Sequence, residues 1–516
     1  MRGRPLIPLL LLPIAVLLCL TACGGHGPSP APPASPDDPK ETEEAEAPGV
    51  RGWEPKTVVT SGASDYTLVR PENADPDELA AAQAIYGALK DNYGVRIPFE
   101  TDFVKPGVDP NTVNGTEILV GRTNRDFVTE GVYGMLGPNR FAVANAGGRI
   151  LLLGDTPALT KLAAEVFIRD ALNGSDYILN DEENIMIYEA EPTYQNITFH
   201  NPVCPSGADP WVIRDPDTGK YYYCYSGGNG VCVNEIADLA HITAEGGKKV
   251  YTAPENTLYS KEYWAPELHK LNGKWYIYVA ADDGDNYHHR MYVLECTGET
   301  PTDSFKMVGK LTDESDKWAI DGTVAEIGGE LYFVWSGWEG DENVAQNIYI
   351  AHMKSPTEID SARTMLSRPE FIWEKLGGRP TINEGPVALA KDGAVHIIYS
   401  ASGSWSDFYN LGKLTWRGGD PLEAANWTKS KTSVFEKTAA CFGPGHCSFT
   451  TADDGTTWIV YHGNLVSGSG WGGRSVWTQP ISWDGDEPVL GSPIGPKDEL
   501  TLPVAVYDAD HIKPVE

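Results

Sequence analysis

Residues 318–337, WAIDGTVAEIGGELYFVWSG, carry the pattern that decides the fold. An apolar segment runs into a glycine-rich turn, and a second segment rich in aromatic residues follows that turn. Two such segments joined by a short turn predict a β-hairpin with a buried face. Asp321 stands at the start of this hairpin, where the strand itself has no need of a carboxylate.

The same hairpin unit recurs about every 60 residues through the C-terminal part of the chain. The units start at Asp209, Ala265, Gly322, Gly385 and His446, and the aligned position just before or at each first strand holds Asp209, Ala265, Asp321, Glu384 and His446. Five hairpins, each with room for two further strands, predict an all-β, five-bladed β-propeller preceded by a small α/β domain. A β-sandwich is the alternative. It is disfavoured because units repeated in this way need radial stacking to bury both faces of each sheet.

Three of the five aligned positions hold acids, namely Asp209, Asp321 and Glu384. The inner strands of a propeller begin near its axis, so these side chains are expected to converge on one cavity. Carboxylates that lie close together raise one another's pKa, which destabilises a fold but suits proton transfer. Any one of them alone is better explained as a turn or cap residue. Their shared position in the repeat is what indicates a catalytic site.

The composition excludes some partners and leaves the cysteine pairing open. The chain has 516 residues and a formal net charge of −32, without the cluster of Lys and Arg that a nucleic acid would require. Of its eight cysteines, Cys19 and Cys23 lie near the N-terminus. The other six could pair in fifteen ways, and the sequence selects none of them. Cys441 and Cys447 are the pair closest in sequence, and they flank a predicted turn.

Several motifs together resemble one enzyme family. GADPWVI, YWAPELH, AIDGTV, INEGPVALAKDGAVHIIYSASGSW and GPGHCSF are similar to glycoside hydrolase family 43, most of all to its arabinan-degrading, exo-acting α-L-arabinofuranosidases. The resemblance covers about Asn196 to Pro514. It implies an inverting reaction in which Asp209 is the general base, Glu384 is the general acid, and Asp321 orients the acid and tunes its pKa. Inversion requires two carboxyl groups about 6.5–9.5 Å apart so that a water molecule fits between them and the sugar, a gap that facing blades can supply.

The resemblance implies that the protein removes terminal α-L-arabinofuranosyl residues from plant arabinan or arabinoxylan. A β-xylosidase and an endo-arabinanase of the same family would use the same three acids, so both stay open. The long insertions WEGDENVAQ and SASGSWSDFYN favour exo action, because they could close one end of a cleft. A non-catalytic, carbohydrate-binding surface lipoprotein is the alternative from another class, and the presence of all three acids counts against it.

Four tryptophans are predicted at the end of the units where the acids lie: Trp211, Trp264, Trp338 and Trp405. There an aromatic face can pack against the apolar C–H face of a sugar ring. Packing in the protein core is the alternative for each of them. The resemblance further implies that Arg474 reaches sugar hydroxyls, with a surface salt bridge as the alternative.

His446 occupies the aligned position of the fifth unit. Arabinan-degrading relatives often carry a histidine there beside a calcium ion whose remaining ligands are mostly water. The resemblance therefore implies a structural Ca²⁺ in the propeller channel near His446, and a buried histidine without a metal is the alternative. No cofactor is required for the chemistry itself.

Residues 1–22 resemble a bacterial lipoprotein signal peptide. Arg2 and Arg4 precede an apolar run, which ends in the tetrapeptide LTAC at Cys23. The resemblance implies cleavage before Cys23, lipidation of its thiol and an anchor at the extracellular face of the bacterial cell membrane. The apolar run is short for a membrane-spanning helix.

The remaining sequence divides into three parts. Residues 23–56 are rich in Pro and Glu, which predicts an extended linker. Residues 57–192 alternate between strand and helix patterns and predict an α/β accessory domain, with Asp77 as the cap of its first helix. The segments LVRPENADPDELAAAQAIYGALKDNYGVRIPF and EILVGRTNRDF resemble the non-catalytic domain that precedes the catalytic domain in several polysaccharide-degrading hydrolases. Residues 196–516 form the predicted propeller, the glycoside hydrolase domain.

Overall fold

The computed structural model describes residues 58–515, except residues 60–61, 114–115, 147 and 174–183. The predicted signal peptide, the lipidation site Cys23 and the linker 23–56 all lie outside the described residues. Within the described ranges, no helix is both long enough and apolar enough to cross a membrane.

The first part of the described chain combines helices with a mixed sheet. Its elements are β1 (Thr67–Arg70), α1 (Pro76–Tyr93), β2 (Phe99–Thr101), β3 (Glu117–Val120), α2 (Asp126–Tyr133), β4 (Arg140–Ala146), β5 (Arg149–Gly154), α3 (Pro157–Ala171) and β6 (Asn184–Ala190). Strands β2, β1, β3 and β5 run parallel, and β4 and β6 continue the sheet in antiparallel fashion. Helices α1 and α3 pack their apolar faces on this sheet.

The cap of helix α1 lies two residues earlier than predicted, at Asp75. The side chain of Asp75 accepts the N–H of Asp77, and the Glu78 side chain accepts the N–H of Asp75. Such a reciprocal capping box satisfies two amides that the helix leaves without partners. Pro76 follows the cap at the first helical position, which suits a residue without an N–H. The predicted cap, Asp77, therefore lies inside the first turn.

The rest of the chain is predominantly β and contains five successive antiparallel units. The units are β8 (Trp211–Arg214), β9 (Tyr221–Ser226), β10 (Gly230–Ile236) and β11 (Lys248–Thr252); β12 (Lys261–Leu271), β13 (Lys274–Asp282), β14 (Arg290–Cys296) and β15 (Phe305–Leu311); β16 (Ala319–Ile327), β17 (Glu330–Gly337), β18 (Ala345–Ser355), β19 (Glu358–Ile359) and β20 (Thr364–Ser367); β21 (Thr381–Lys391), β22 (Ala394–Ala401), β23 (Asn410–Trp416) and β24 (Trp427–Lys429); and β25 (Phe442–Thr451), β26 (Thr457–Asn464) and β27 (Arg474–Pro480). Further strands are β7 (Thr193–Phe199), β28 (Ser482–Asp484), β29 (Glu487–Val489), β30 (Leu500–Val506) and β31 (Ile512–Pro514). Short 3-10 helices lie in loops at Pro110–Thr112, Asn286–His288, Ile372–Glu374, Ala424–Asn426 and Gly470–Gly473.

The first strands of the five units contact one another in a closed cycle. Strand β8 contacts β12, β12 contacts β16, β16 contacts β21, β21 contacts β25, and β25 returns to β8. The cycle is closed by hydrogen bonds between the two ends of the β-rich part: Val476 in β27 exchanges backbone bonds with Cys204, and β30 pairs with β7. Strand β31 then joins the first sheet beside β6.

A residue in the left-handed backbone region lies near the start of each first strand, just before β8 and within the first five residues of the other four. These residues are Asp209 (φ 49°), Ala265 (φ 42°), Asp321 (φ 54°), Gly385 (φ 53°) and His446 (φ 47°). In units two to five this residue lies in a β-bulge, because the pairing register with the second strand breaks at that point. Four of the five are not glycine, so the backbone there is strained, and such strain concentrates at functional sites.

The repeat alignment is wrong by one residue in the fourth unit. It places Glu384 level with Asp209 and Asp321, whereas the structure places Gly385 there. Glu384 lies one residue earlier, level with Trp264. The proline that follows Asp209 also follows Gly385, as the repeat of prolines predicts, so the acid of the fourth unit is the residue before the left-handed one.

The predicted turn between Cys441 and Cys447 is also wrong. Strand β25 runs through Phe442–Thr451, so both cysteines lie along one extended segment. All six cysteines of the described residues are free thiols, and Cys441 and Cys447 are buried.

Ala265→Gly is expected to raise the free energy of unfolding slightly, by up to about 1 kcal/mol. A left-handed backbone costs an L-residue about 1–2 kcal/mol, and the greater flexibility of glycine offsets only part of that relief. Ala325→Gly is the matched control, since Ala325 is equally buried but lies in regular strand β16; it should lose about 1 kcal/mol. Denaturant unfolding measures both. A loss in Ala265→Gly equal to that of the control would contradict the strain at this position.

Candidate active site

A cavity of about 420 Å³ opens where the first strands begin. Of the residues predicted from the sequence, its walls contain Asp209, Asp321, Glu384, His446, Arg474, Trp264 and Trp405. The structure thus brings the three acids together in one concave space. A wider depression of about 670 Å³ beside residues 339–347 contains none of the predicted site residues.

Asp209 is surrounded by nitrogen atoms. Its Oδ1 lies 3.1 Å from a guanidinium nitrogen of Arg474, 3.2 Å from Nδ1 of His446 and 3.3 Å from Nδ1 of His462. Burial alone would raise the pKa of Asp209, but the two imidazoles and the arginine outweigh it and hold the pKa well below its ordinary value. The Asp209 carboxylate is therefore ionised at neutral pH, and a quarter of its side chain still faces the cavity.

Glu384 has the opposite electrostatic environment. Burial raises its pKa to about 7, and the negative charge of Asp209 acts in the same direction. Tyr409 donates a hydrogen bond of 2.8 Å to Glu384 Oε1, which partly counters the rise. At neutral pH Asp209 is therefore ionised while a substantial fraction of Glu384 keeps its proton, and acid and base catalysis by paired carboxyl groups requires such a difference.

Asp321 is influenced by both of these acids. Burial and the charges of Glu384 and Asp209 raise its pKa well above the ordinary value. Its Oδ2 accepts the backbone N–H of Gly385 at 3.0 Å. Since Gly385 follows Glu384 directly, this bond fixes the backbone from which the Glu384 side chain extends.

The four predicted tryptophans divide evenly between the cavity and the core. Trp264 is 36% exposed in the cavity wall and stacks on His289 at 4.0 Å between ring centroids. Trp405 also lines the cavity. Trp338 is buried and stacks on Trp318 at 4.6 Å.

Trp211 is likewise buried, and its indole N–H donates to the carbonyl of Leu268. Trp211 and Trp338 thus lie outside the cavity, in the core packing that was the alternative for each. Trp318, which the sequence patterns did not select, lines the cavity and stacks on Trp338.

Arg474 lines the cavity, where its contact with sugar hydroxyls stays a prediction, and it does not form the surface salt bridge that was the alternative. It makes an ion pair inside the cavity with Asp209, not at the surface, and only 18% of its side chain is exposed. Its guanidinium therefore stabilises the ionised carboxylate first, while its place in the wall leaves it within the space that a ligand would fill.

His446 does not sit within a set of protein metal ligands. Burial lowers its pKa, its Nδ1 faces Asp209, and its backbone N–H donates to the hydroxyl of Ser400. Among the described residues, no group of three His, Cys, Asp or Glu side chains could hold a metal ion. The residues present do not form a calcium site of their own, so the predicted Ca²⁺ stays a prediction and no step of the chemistry passes through it.

Sequence patterns missed several residues that shape the site. Tyr409 and His462 lie against the acids, and their rings stack on each other at 5.5 Å. Both are fully buried aromatic residues in strand-rich segments, which sequence reasoning assigns to the core. Ser404 and Trp471 reach the cavity from loops outside the repeat.

Residues 199–489 match the family model described as Glycosyl hydrolases family 43. This match spans more than half of the chain, and the chain therefore belongs to family 43 of the glycosyl hydrolases. Enzymes of this family need no cofactor for catalysis.

Relatives within the family can be compared over the same part of the chain. The extracellular exo-α-(1→5)-L-arabinofuranosidase of Streptomyces avermitilis is 33% identical over 323 residues, which are 59% of this chain and 65% of that protein. The enzyme of the same name from Streptomyces chartreusis is 30% identical over 272 residues, 51% of this chain and 82% of that protein. The crystal structure of an α-L-arabinofuranosidase from Lactobacillus brevis has 32% identity and a TM-score of 0.54, and the match covers 58% of this chain and 98% of that one. The chain thus spans slightly less than two thirds of the length of the S. avermitilis relative.

Trp338→Ala is expected to lower the free energy of unfolding by about 3–5 kcal/mol, because it removes a fully buried ring and leaves a cavity. Trp264→Ala should cause a clearly smaller loss, since more than a third of that side chain is already exposed. Denaturant unfolding of both variants makes the comparison. Equal losses would contradict the placement of Trp338 in the core and of Trp264 in the cavity wall.

Proposed function

We propose that this protein is an inverting glycoside hydrolase that removes terminal α-L-arabinofuranosyl residues from plant arabinan or arabinoxylan. One observation carries the proposal: an ionised Asp209 and a Glu384 with a pKa of about 7 line the same cavity. The family membership and the names of the relatives from Streptomyces support the choice of sugar.

The two carboxyl groups have complementary tasks in the proposed reaction. Asp209, ionised, takes a proton from a water molecule that attacks the anomeric carbon. Glu384, protonated, gives its proton to the glycosidic oxygen as the bond to the leaving group breaks. The configuration at the anomeric carbon is inverted in this single displacement.

Asp321 and Arg474 support these two groups. Asp321 holds the backbone of Gly385, and in the proposed role this neighbouring carboxyl group orients Glu384 and tunes its pKa. Arg474 keeps Asp209 ionised and lies within reach of a sugar hydroxyl in the cavity. Trp264 and Trp405 offer aromatic surface to the sugar ring.

The cavity walls favour exo action over endo action. Trp405 and Trp471, from loops of the fourth and fifth units, both line the cavity. An endo-arabinanase would need an open cleft in which the polysaccharide chain passes on both sides of the acids. A β-xylosidase fits the same acids and is separated by the substrate assay below.

The domain organisation and location follow the same proposal. We infer that the five antiparallel units are the blades of a five-bladed β-propeller over residues 196–516, and that residues 57–192 form an α/β accessory domain. We further infer a signal peptide at residues 1–22, a linker at 23–56, and a lipid on Cys23 that anchors the enzyme at the extracellular face of the membrane. The relatives named as extracellular enzymes support export.

The function is tested by substrate and by variant. The wild type should release arabinose from p-nitrophenyl α-L-arabinofuranoside and from debranched arabinan, and should leave p-nitrophenyl β-xyloside intact. Glu384→Gln, Asp209→Asn and Asp321→Asn should each lower turnover of arabinan by about 10²- to 10⁴-fold while the melting temperature stays within a few degrees of that of the wild type.

Each other outcome points elsewhere. Preferred release of xylose would indicate a β-xylosidase, and early release of long oligosaccharides from arabinan would indicate an endo-arabinanase. Binding of arabinan without release of any sugar would indicate a carbohydrate-binding lipoprotein. Near-normal turnover in Glu384→Gln would remove Glu384 as the general acid.

The pH dependence follows from the raised pKa of Glu384. Because the acid must be protonated, kcat/KM should fall as the pH rises through about 7. Tyr409→Phe removes a hydrogen bond that favours the ionised carboxylate of Glu384. The fall of kcat/KM on the alkaline side of the pH profile should therefore move to higher pH. Tyr225→Phe is the control, because the Tyr225 hydroxyl donates to the backbone carbonyl of Ala244, outside the cavity. This variant should leave the alkaline side of the pH profile unchanged. If the alkaline side of the pH profile does not move in Tyr409→Phe, or moves to lower pH, the assignment of Glu384 as the general acid is contradicted.

A further inference from the structure

A tryptophan whose side chain is largely exposed lies at the rim of the cavity. Trp471 is 60% exposed and lies in the 3-10 helix Gly470–Gly473 between β26 and β27, yet it also lines the cavity. Large aromatic side chains gain free energy from burial, so a ring left in water beside a binding cavity suggests a surface that a ligand covers.

The ring of Trp471 is held in a fixed orientation. Its indole N–H donates to the hydroxyl of Ser404 at 3.1 Å. Its ring meets Trp405 edge to face, with centroids 6.1 Å apart and planes at 88°. Trp405 is fixed in turn by a hydrogen bond of 3.0 Å from its indole N–H to the carbonyl of Gly377. A ligand that stacks on Trp471 therefore meets a surface that has little side-chain freedom left to lose.

The loop that carries Trp471 is tied to the loop of the neighbouring unit. Asp407 accepts the backbone N–H of Gly468 at 2.8 Å and the hydroxyl of Ser467. Both bonds join the segment after β26 to the segment before β23. The two loops therefore form one wall of the cavity, built from two units of the repeat.

The position of Trp471 relative to the acids determines what it would contact. Ser404, which holds the indole, is next to Glu384 and interacts with its carboxyl group. On the other side, the carbonyl of Trp471 lies 3.5 Å from Nε of Arg474, the partner of Asp209. The ring of Trp471 is thus linked through Ser404 to the acid, whereas only its backbone contacts Arg474, the partner of the base.

We propose that Trp471 is a specificity-determining residue, on which the sugar of the leaving group stacks when Glu384 protonates the glycosidic oxygen. The inference rests on the proposed function, because the leaving group departs on the side of the general acid. It assigns the leaving-group side to arabinan-type chains, whose apolar C–H faces suit an indole ring, and makes turnover depend on a sugar in that place.

The test compares two substrates with the same scissile bond and different leaving groups. In Trp471→Ala, kcat/KM for α-1,5-linked arabinotriose should fall about 10-fold, whereas kcat/KM for methyl α-L-arabinofuranoside should change less than about 2-fold. Trp471→Phe keeps an aromatic face and should retain most of the activity on arabinotriose. Tyr194→Ala is the control, since Tyr194 is 47% exposed in β7 and outside the cavity.

Two kinetic results would overturn the proposal. Equal losses on both substrates would mean that Trp471 supports the catalytic groups and not the leaving-group sugar. Full retention of activity on arabinotriose would mean that the exposed ring contacts no substrate.

A binding measurement separates this proposal from the proposed function. Isothermal titration of arabinotriose into Glu384→Gln should show about 10-fold weaker binding when Trp471→Ala is added. Equal affinities would overturn the stacking role even if the wild type is an active arabinofuranosidase. Failure of the proposed function would instead appear as absence of arabinose release by the wild type, whatever the affinities.

Discussion

The site depends on one backbone feature, the left-handed residue near the start of the first strand of every unit. In four units it forms a β-bulge, which leaves a residue unpaired and turns its side chain away from the sheet. Where the closed cycle of strands brings the five starts together, these positions supply Asp209, Asp321 and His446 to one cavity. The strain of a left-handed L-residue is retained because the packed units around it fix the backbone.

The charges in the cavity are arranged by partners that lie behind them. Arg474 and two histidines hold Asp209 ionised, while burial and the charge of Asp209 hold the pKa of Glu384 near 7. Two carboxyl groups of similar intrinsic pKa, Asp209 and Glu384, thus differ in their degree of protonation at the same pH. The difference arises from the second and third strands and from the loops, which carry His462, Arg474 and Tyr409.

The sequence was sufficient for the β-rich fold and for the three acids, because both follow from the repeat. It could not show that Glu384 lies one residue before the position of Asp209 and Asp321, because the pattern allows an acid either just before or at the start of a strand. It could not separate Trp264 from Trp338, because an aromatic residue near a strand end has the same pattern whether it faces a cavity or the core. Tyr409 and His462 were missed for the same reason. Trp471 lies in a loop that no repeat predicts, and only the closure of the cycle places it beside Ser404.

The stereochemistry of the product tests the central claim most directly. Proton NMR during the first minutes of hydrolysis of an α-L-arabinofuranoside reports the anomer released before it equilibrates in water. A base at Asp209 and an acid at Glu384 on opposite sides of the sugar predict that β-L-arabinofuranose appears first. Initial release of the α-anomer would show retention of configuration, and it would contradict the assignment of Asp209 as the base that activates water.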